Sequence, residues 1–341
     1  MKNLLLFLAL ISLNSITARA QLVPMGPVHA NEFNIIYGPA GTLPEHIPTK
    51  RKIPYEYVRE ADAVWSKRMW RYIDLREKIN HPLYYPLDEI TADGRWVTNS
   101  MRWSLWTVIR SNVLQGNLRV FSPYDPITLG VGQWDGDQLK YPVDPVPGGN
   151  YETDPIYREE MLYYMGKLGP QSDIPLVDQW GNDSIVEFDD GSLAMVYPSP
   201  DTLWYTSDDI IQYRLKEDWF FDKERSVMDV RIIAIAPVVY RTDIDVQGNE
   251  SISGTMELFW LYFPHCRFVF NNYFVYNEHN DAQWMSFDDL FWKRKFNSVI
   301  YKESNSYDRT IDTYRAGADA LYESEAITNE VRNIEHDLWS F

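Results

Sequence analysis

The sequence predicts an α+β protein with an antiparallel sheet core and flanking helices, preceded by an extended proline-rich N-terminal arm and closed by a C-terminal helical tail. Three observations lead there. From Met228 the chain alternates: Met228, Val230, Ile232, Ala234 and Ala236 point one way, Asp229 and Arg231 the other, with the period of two of a strand. Residues 21–55 hold six prolines and three glycines with no sustained periodicity, which excludes a helix or an interior strand. Near the end, Ile327, Val331, Ile334 and Leu338 recur at steps of four, three and four, the stripe of an amphipathic helix.

Taken in order, the chain opens with Lys2, an apolar run from Leu4 to Leu13 and then Ala18-Arg19-Ala20. That is the order of a secretory signal peptide, with cleavage expected between Ala20 and Gln21. The run is shorter than the roughly 20 apolar residues a membrane-spanning helix needs. A mature chain outside the cytoplasm, without a membrane span, is therefore expected. The single cysteine, Cys266, is not at the cleavage site, so neither a lipid anchor nor an intrachain disulfide is expected. Cys266 itself reads as a small buried residue, with an intermolecular disulfide or a metal ligand as the alternatives.

The arm 21–55 carries Phe33, Ile35, Ile36 and Tyr37, apolar side chains that need a surface, either on their own domain or on a neighbouring subunit. From Glu56 to Asn80, Ala61, Trp65, Met69, Tyr72, Leu75 and Ile79 are spaced by three or four, which predicts a helix bracketed by Pro54 and Pro82. A second helix is predicted from about Ser100 to Gln115, capped by Thr98, Asn99 or Ser100, stopped by Gly116, and buried through Met101, Leu105, Val108 and Ile109. Residues 122–155 gather prolines and glycines into a long connection where an internal domain boundary would fall. A short helix near Ile156 to Met165 and a hairpin over Ile185 to Tyr197, turning at Asp190-Gly191, follow.

The alternating stretch at 227–236 gains a second apolar face from Ile233 and Ile235 before Pro237 interrupts or ends its ladder. Val227–Thr242 and Thr255–Phe263 read as a hairpin, and 267–276 as a third strand. Ser286 with Asp289 is a capping pattern for a helix to about Lys295, and Asn297 to Tyr301 reads as a returning strand. The resulting division is 1–20 signal, 21–55 arm, 56–316 core and 317–341 tail. The tail docks either on its own domain or on a partner.

The formal net charge is −17, and loss of Lys2 and Arg19 with the signal lowers it by two more. Such a chain repels phosphate backbones, so nucleic acid is excluded as a partner. Chemistry is sparse. Gly130-Val131-Gly132 lacks the third glycine of a dinucleotide fingerprint, and no phosphate loop, zinc-protease, calcium-loop or serine-elbow motif occurs. The six histidines never fall at a short metal-ligand spacing. No cofactor is expected.

Asp189-Asp190, Asp208-Asp209 and Asp288-Asp289, with thirteen tryptophans, raise the alternative of a carbohydrate-binding protein or glycosidase. Adjacent acids also serve turns and helix starts, which is the plain structural reading. Trp219-Phe220-Phe221 cannot all face one side of a strand; the outlier belongs to the other sheet face or to a neighbouring subunit.

Three blocks carry a resemblance: MWRYIDLREKINHPLYYP at 69–86, YRLKEDWFFDKERSVMDVRIIAIAP at 213–237 and MSFDDLFWKRKFNSVIYKES at 285–304. Together they resemble the GldN/PorN family of the gliding-motility and type IX secretion machinery of Bacteroidetes-type bacteria. The resemblance implies a non-enzymatic periplasmic subunit. Its implied partners are copies of itself in a ring, an outer-membrane lipoprotein of the GldK/PorK type, and the periplasmic portion of a GldL-GldM/PorL-PorM type motor complex. Exposed aromatic and apolar character nominates the contact residues: Phe33, Ile36, Tyr37, Tyr84, Tyr85, Trp219, Phe220, Phe221, Ile327, Val331, Ile334 and Leu338. Asp183-Ser184-Ile185 and Asp201-Thr202-Leu203 also resemble acid, hydroxyl, aliphatic triplets that such bacteria O-glycosylate.

Overall fold

The alternating stretch around Met228 belongs to the central strand of the sheet in the computed structural model, which describes residues 52–91, 95–99, 102–124, 136–147, 149–169, 174–176, 185–187, 193–198, 202–244, 250–275 and 285–338. The signal segment, the arm up to residue 51, the turn at Asp190-Gly191, the Gly130-Val131-Gly132 stretch and the Asp183-Ser184 site lie outside these residues. Eight strands form the main sheet: β1 (Ala63–Asp74), β2 (Val120–Phe121), β3 (Pro142–Val143), β4 (Ile210–Asp222), β5 (Val227–Ile244), β6 (Glu250–Glu257), β7 (Trp260–Tyr262) and β8 (Val299–Glu303). The order is β8-β1-β4-β5-β7-β2-β3, with β6 also on β5, and every pairing is antiparallel. Among the described residues six helices accompany it: α1 (His81–Tyr84), α2 (Leu105–Leu114), α3 (Pro155–Met165), α4 (Phe263–Phe270), α5 (Phe287–Trp292) and α6 (Ala318–Leu338). The α+β prediction holds.

Register explains how the sheet divides its faces. Met69 opposes Glu217, Ile73 opposes Tyr213 and Leu215 opposes Ile235, so these side chains share one face. A bulge pairs Glu217 with Ile232 but Lys216 with Ala234, leaving Ile233 as the extra residue. The bulge re-aims the strand. Met228, Val230 and Ile232 therefore share a face with Ile235 and Val239, while Ala234 and Ala236 turn to the opposite face and pack on Trp260. The single run Met228 to Ala236 predicted from alternation is thus corrected. Pro237 does not end the ladder: it sits where β5 exchanges neighbour, β7 pairing at Ala234 and Ile235 and β6 from Val238 onward.

The principal core lies on the first face and joins Tyr213, Leu215 and Ile235 to α2, α3, α4 and α5. A second cluster lies further along it: Met69, Ile300, Ile311, Ile327 and Val331, with α6 as its cover. Within the principal core, Arg110 of α2 is 4% exposed and is sandwiched by Trp96 at 4.4 Å and Trp204 at 5.3 Å. Burial pushes its guanidinium down to about 10 despite Asp88 at 4.0 Å. This ties the short ribbon of Glu89–Ile90 and Trp96–Val97 to the helix through Trp96.

Two predictions of secondary structure are overturned. Residues 56–80 are not one helix; β1 occupies 63–74. Trp65, Met69 and Ile73 are four apart, a spacing that fits one face of a strand as well as one face of a helix. Residues 267–276 are not a strand; α4 runs to Phe270, with only Phe274–Val275 extended. Its buried positions are Phe263, Cys266, Arg267, Val269 and Phe270, and Phe263, Cys266, Arg267 and Phe270 among them follow helical spacing. The cap of α2 is Ser104, whose hydroxyl accepts from the Thr107 N–H at 3.2 Å, rather than a residue at 98–100.

Other signals hold: the Ser286/Asp289 capping box opens α5, and Gly116 (φ +79°) follows the end of α2. At Gly116 an added Cβ would lie 2.4 Å from Tyr151 Cγ. Gly116→Ala is expected to cost about 1–3 kcal/mol, from the left-handed backbone and the overlap together, as a lowered urea midpoint at unchanged slope. An unchanged midpoint would show that the turn relaxes freely. Cys266 is 1% exposed and desolvation pushes its thiol up, which matches the plain reading of a buried, inert residue.

Candidate interaction surface

The capping box at Ser286 starts α5 so that Asp288, the next residue but one, turns inward and is 6% exposed. Opposite it on α4 stands Arg267, 2% exposed, whose Nε and Nη2 reach Asp288 Oδ1 and Oδ2 at 2.6 and 3.1 Å. Nη2 also donates to the Ile53 carbonyl at 2.8 Å. One buried cation thus ties two helices to the incoming chain. The Tyr55 ring stacks on Trp292 at 5.2 Å, with the guanidinium of Arg267 4.4 Å and that of Arg231 4.3 Å from its centre. Burial pushes the Tyr55 hydroxyl up, partly opposed by Arg267.

Lys52 lies 3.6 Å over the Phe268 ring, Arg231 Nη2 donates to the Glu56 carbonyl at 2.9 Å, and Arg225 pairs with the Glu56 carboxylate. The last residues of the arm are therefore a strap across α4 and α5. They dock on their own chain.

Beside the strap lies a cavity of about 330 Å³. Its floor is the half-buried Met228 and Val230 with Ile232 of β5, and Phe263, Phe291 and Trp292 form an apolar wall. Its charged rim is internally neutralised. Glu217, wholly buried, accepts from Arg294 at 2.8 and 3.2 Å and from Trp219 Nε1 at 2.9 Å. Arg225 reaches Asp222 at 2.6 Å and Asp229 at 3.3 Å. The cavity interrupts the helix cover between the two apolar clusters.

The nominated residues are distributed as follows. Trp219 and Phe221 share the core face, Phe221 4% exposed, and Phe220 takes the opposite face, 5.4 Å from the Arg231 guanidinium. Tyr84 is half-buried and donates to Asp208 at 2.8 Å, whereas Tyr85 beside it is exposed. Ile327 and Val331 are buried under α6, with Ile334 and Leu338 half-buried. Ala20, Gln21, Phe33, Ile36 and Tyr37 lie outside the described residues. The structure packs Trp219 against the second apolar cluster, 5.2 Å from the Arg294 guanidinium, and gathers no single surface from the set.

Tyr55 of the strap, Trp292 of the wall and Met228 and Val230 of the floor were not among the contact residues that the sequence nominated. Tyr55 directly after Pro54 was the available signal. Exposed apolar side chains, Ile174, Leu176, Ile185, Met195, Tyr197 and Leu203, also lie on or close in sequence to two short ribbons, Gly166–Leu168 with Thr202–Trp204 and Ile185–Glu187 with Leu193–Met195.

The described acid pairs have structural uses. Asp208 accepts from Tyr84, Asp209 accepts from the Thr206 N–H at 2.8 Å and pairs with Lys167, Asp288 holds Arg267, and Asp289 completes its capping box. Asp189-Asp190 lies outside the described residues. Among the described residues no cluster of three metal-ligating side chains occurs, and no helix is long and apolar enough to cross a membrane.

No curated protein matches the chain. A family model described as gliding motility associated protein GldN matches residues 58–340, a span that takes in all eight strands, the cavity floor and α6. By that match, which begins just beyond the strap and covers most of the sequence, the chain belongs to the GldN family.

Proposed function

We propose that this GldN-family protein is a non-enzymatic structural subunit of a trans-envelope secretion and gliding-motility machine. It is exported to the periplasm and held at the inner side of the outer membrane by a lipoprotein of the GldK/PorK type. With that partner it builds a ring of identical copies that engages the periplasmic portion of a GldL-GldM/PorL-PorM type motor. The family match through the whole sheet carries the reading. It is supported by the described carboxylate pairs, which serve caps and ion pairs, and by the exposed apolar side chains on and next to the two short ribbons, of the kind that contact surfaces carry.

The test is affinity isolation of the tagged mature chain from gently solubilised envelopes, with mass spectrometry and electron microscopy. Rings of uniform diameter containing an outer-membrane lipoprotein are expected. A free monomer without any lipoprotein would overturn the proposal.

A further inference from the structure

The cavity beside the strap faces an open sheet edge. β4 pairs one side of β5 from Val227 to Val239, but on the other side β7 reaches only Ala234 and Ile235 and β6 begins at Val238. Among the described residues no strand pairs with the other side of Val227–Ile233, and the strap meets it through a side chain, Arg231 Nη2 donating to the Glu56 carbonyl at 2.9 Å, which leaves its backbone groups without a ladder. Such an edge accepts an added strand, whose alternate side chains enter whatever pocket adjoins it. Here the pocket is apolar at floor and wall, and its arginines are already matched by Glu217, Asp222, Asp229 and Asp288. An uncharged, apolar, extended segment fits it.

The chain supplies one. Phe33-Asn34-Ile35-Ile36-Tyr37 has no charge and is the densest run of large apolar residues in 21–51. We infer that the cavity and open edge of one copy receive the Phe33–Tyr37 segment of a second copy, so that each arm links its own strap to the neighbour's sheet. This rests on the reading of the protein as a self-associating subunit.

Two observations favour the neighbour over the same chain. Lys52 sits over Phe268, and neither Lys52 nor Ile53 lines the cavity, whereas Tyr55 and Glu56 do, so the N-terminal end of the strap lies outside the cavity. Between Tyr37 and the strap, Pro39, Pro44 and Pro48 fix φ and bias the residues before them to extended backbone, which opposes a tight return. At polyproline rise, residues 38–51 span about 43 Å, close to the diameter of about 50 Å expected for a domain of this size.

The experiment mixes two full mature chains, one carrying Ile36→Cys and the other Val230→Cys, under mild oxidation. The buried Cys266 stays in place as the unreactive background. Linked dimers are expected on non-reducing gels in the mixture, at least tenfold above a control in which the second cysteine replaces exposed Tyr307. As a measurement free of introduced cysteines, Ile36→Asp is expected to raise the monomer fraction at least tenfold by mass photometry. A link that forms only within one chain carrying both cysteines, seen without a change of mass, overturns the proposal. So does absence of any link, or no effect of Ile36→Asp, in particles that remain oligomeric; self-association then stands and only this socket falls. A wild-type chain monomeric at every concentration overturns both.

Discussion

Arg267→Ala is expected to cost about 3–5 kcal/mol of folding stability, because it leaves the Asp288 carboxylate buried and unpaired. The pair is not itself a large source of stability: desolvating two charges offsets most of their attraction. The double replacement Arg267→Met with Asp288→Leu is therefore expected within about 1 kcal/mol of wild type or above it. Urea midpoints at unchanged slope measure the cycle. The strap supplies an independent reading, since Arg267 Nη2 holds the Ile53 carbonyl and its guanidinium faces Tyr55. In both variants residues 52–57 should become cleavable while the sheet stays protected. A double variant that loses more than the single one, with the strap still resistant, would show that packing around α4 and α5 outweighs the ion pair.

The same arginine explains part of what the sequence concealed. A charge at the centre of a buried helical face breaks the apolar stripe of α4, so Phe263, Cys266 and Phe270 no longer read as the positions i, i+3 and i+7 that they occupy. In β1 the concealment runs the other way. Lys67 and Arg71 share the core face with Trp65 and Met69, satisfied by Glu303 at 2.6 Å and by Ser298 at 2.8 Å, so alternation is lost and the fourfold spacing imitates a helix.

Elements specified by short-range chemistry were legible: the capping box of α5, the glycine after α2, the stripe of α6 and the alternation of β5 up to its bulge. The bulge at Ile233 depends on register against β4, which no local pattern records. The cavity was illegible for a related reason. Its floor, wall and strap come from β5, α4, α5 and the arm, brought together only by the tertiary fold.

Ile327→Asp tests what α6 is for. The residue is 4% exposed, against Met69, Ile300, Ile311 and Val331. Truncation to alanine alone is expected to cost about 2–5 kcal/mol. A carboxylate adds the penalty of an unpaired buried charge, which undocking of the helix relieves. Undocking has a specific signature, because the Ile300 N–H of edge strand β8 donates to Ser324 Oγ of α6 at 3.0 Å. The helix therefore covers a sheet edge as well as an apolar face. In the variant, the Ile300 amide should lose hydrogen-exchange protection and the chain should be cut near Gly317, while Ala234 and Ile235 in central β5 keep theirs. If Ile300 stayed protected at unchanged stability, α6 would be held by contacts other than this cluster. Loss of protection throughout the sheet would instead make α6 part of one cooperative unit with it. The local outcome is expected because cluster and principal core are separate groups on the same face, with the Glu217–Arg294 pair and the cavity between them.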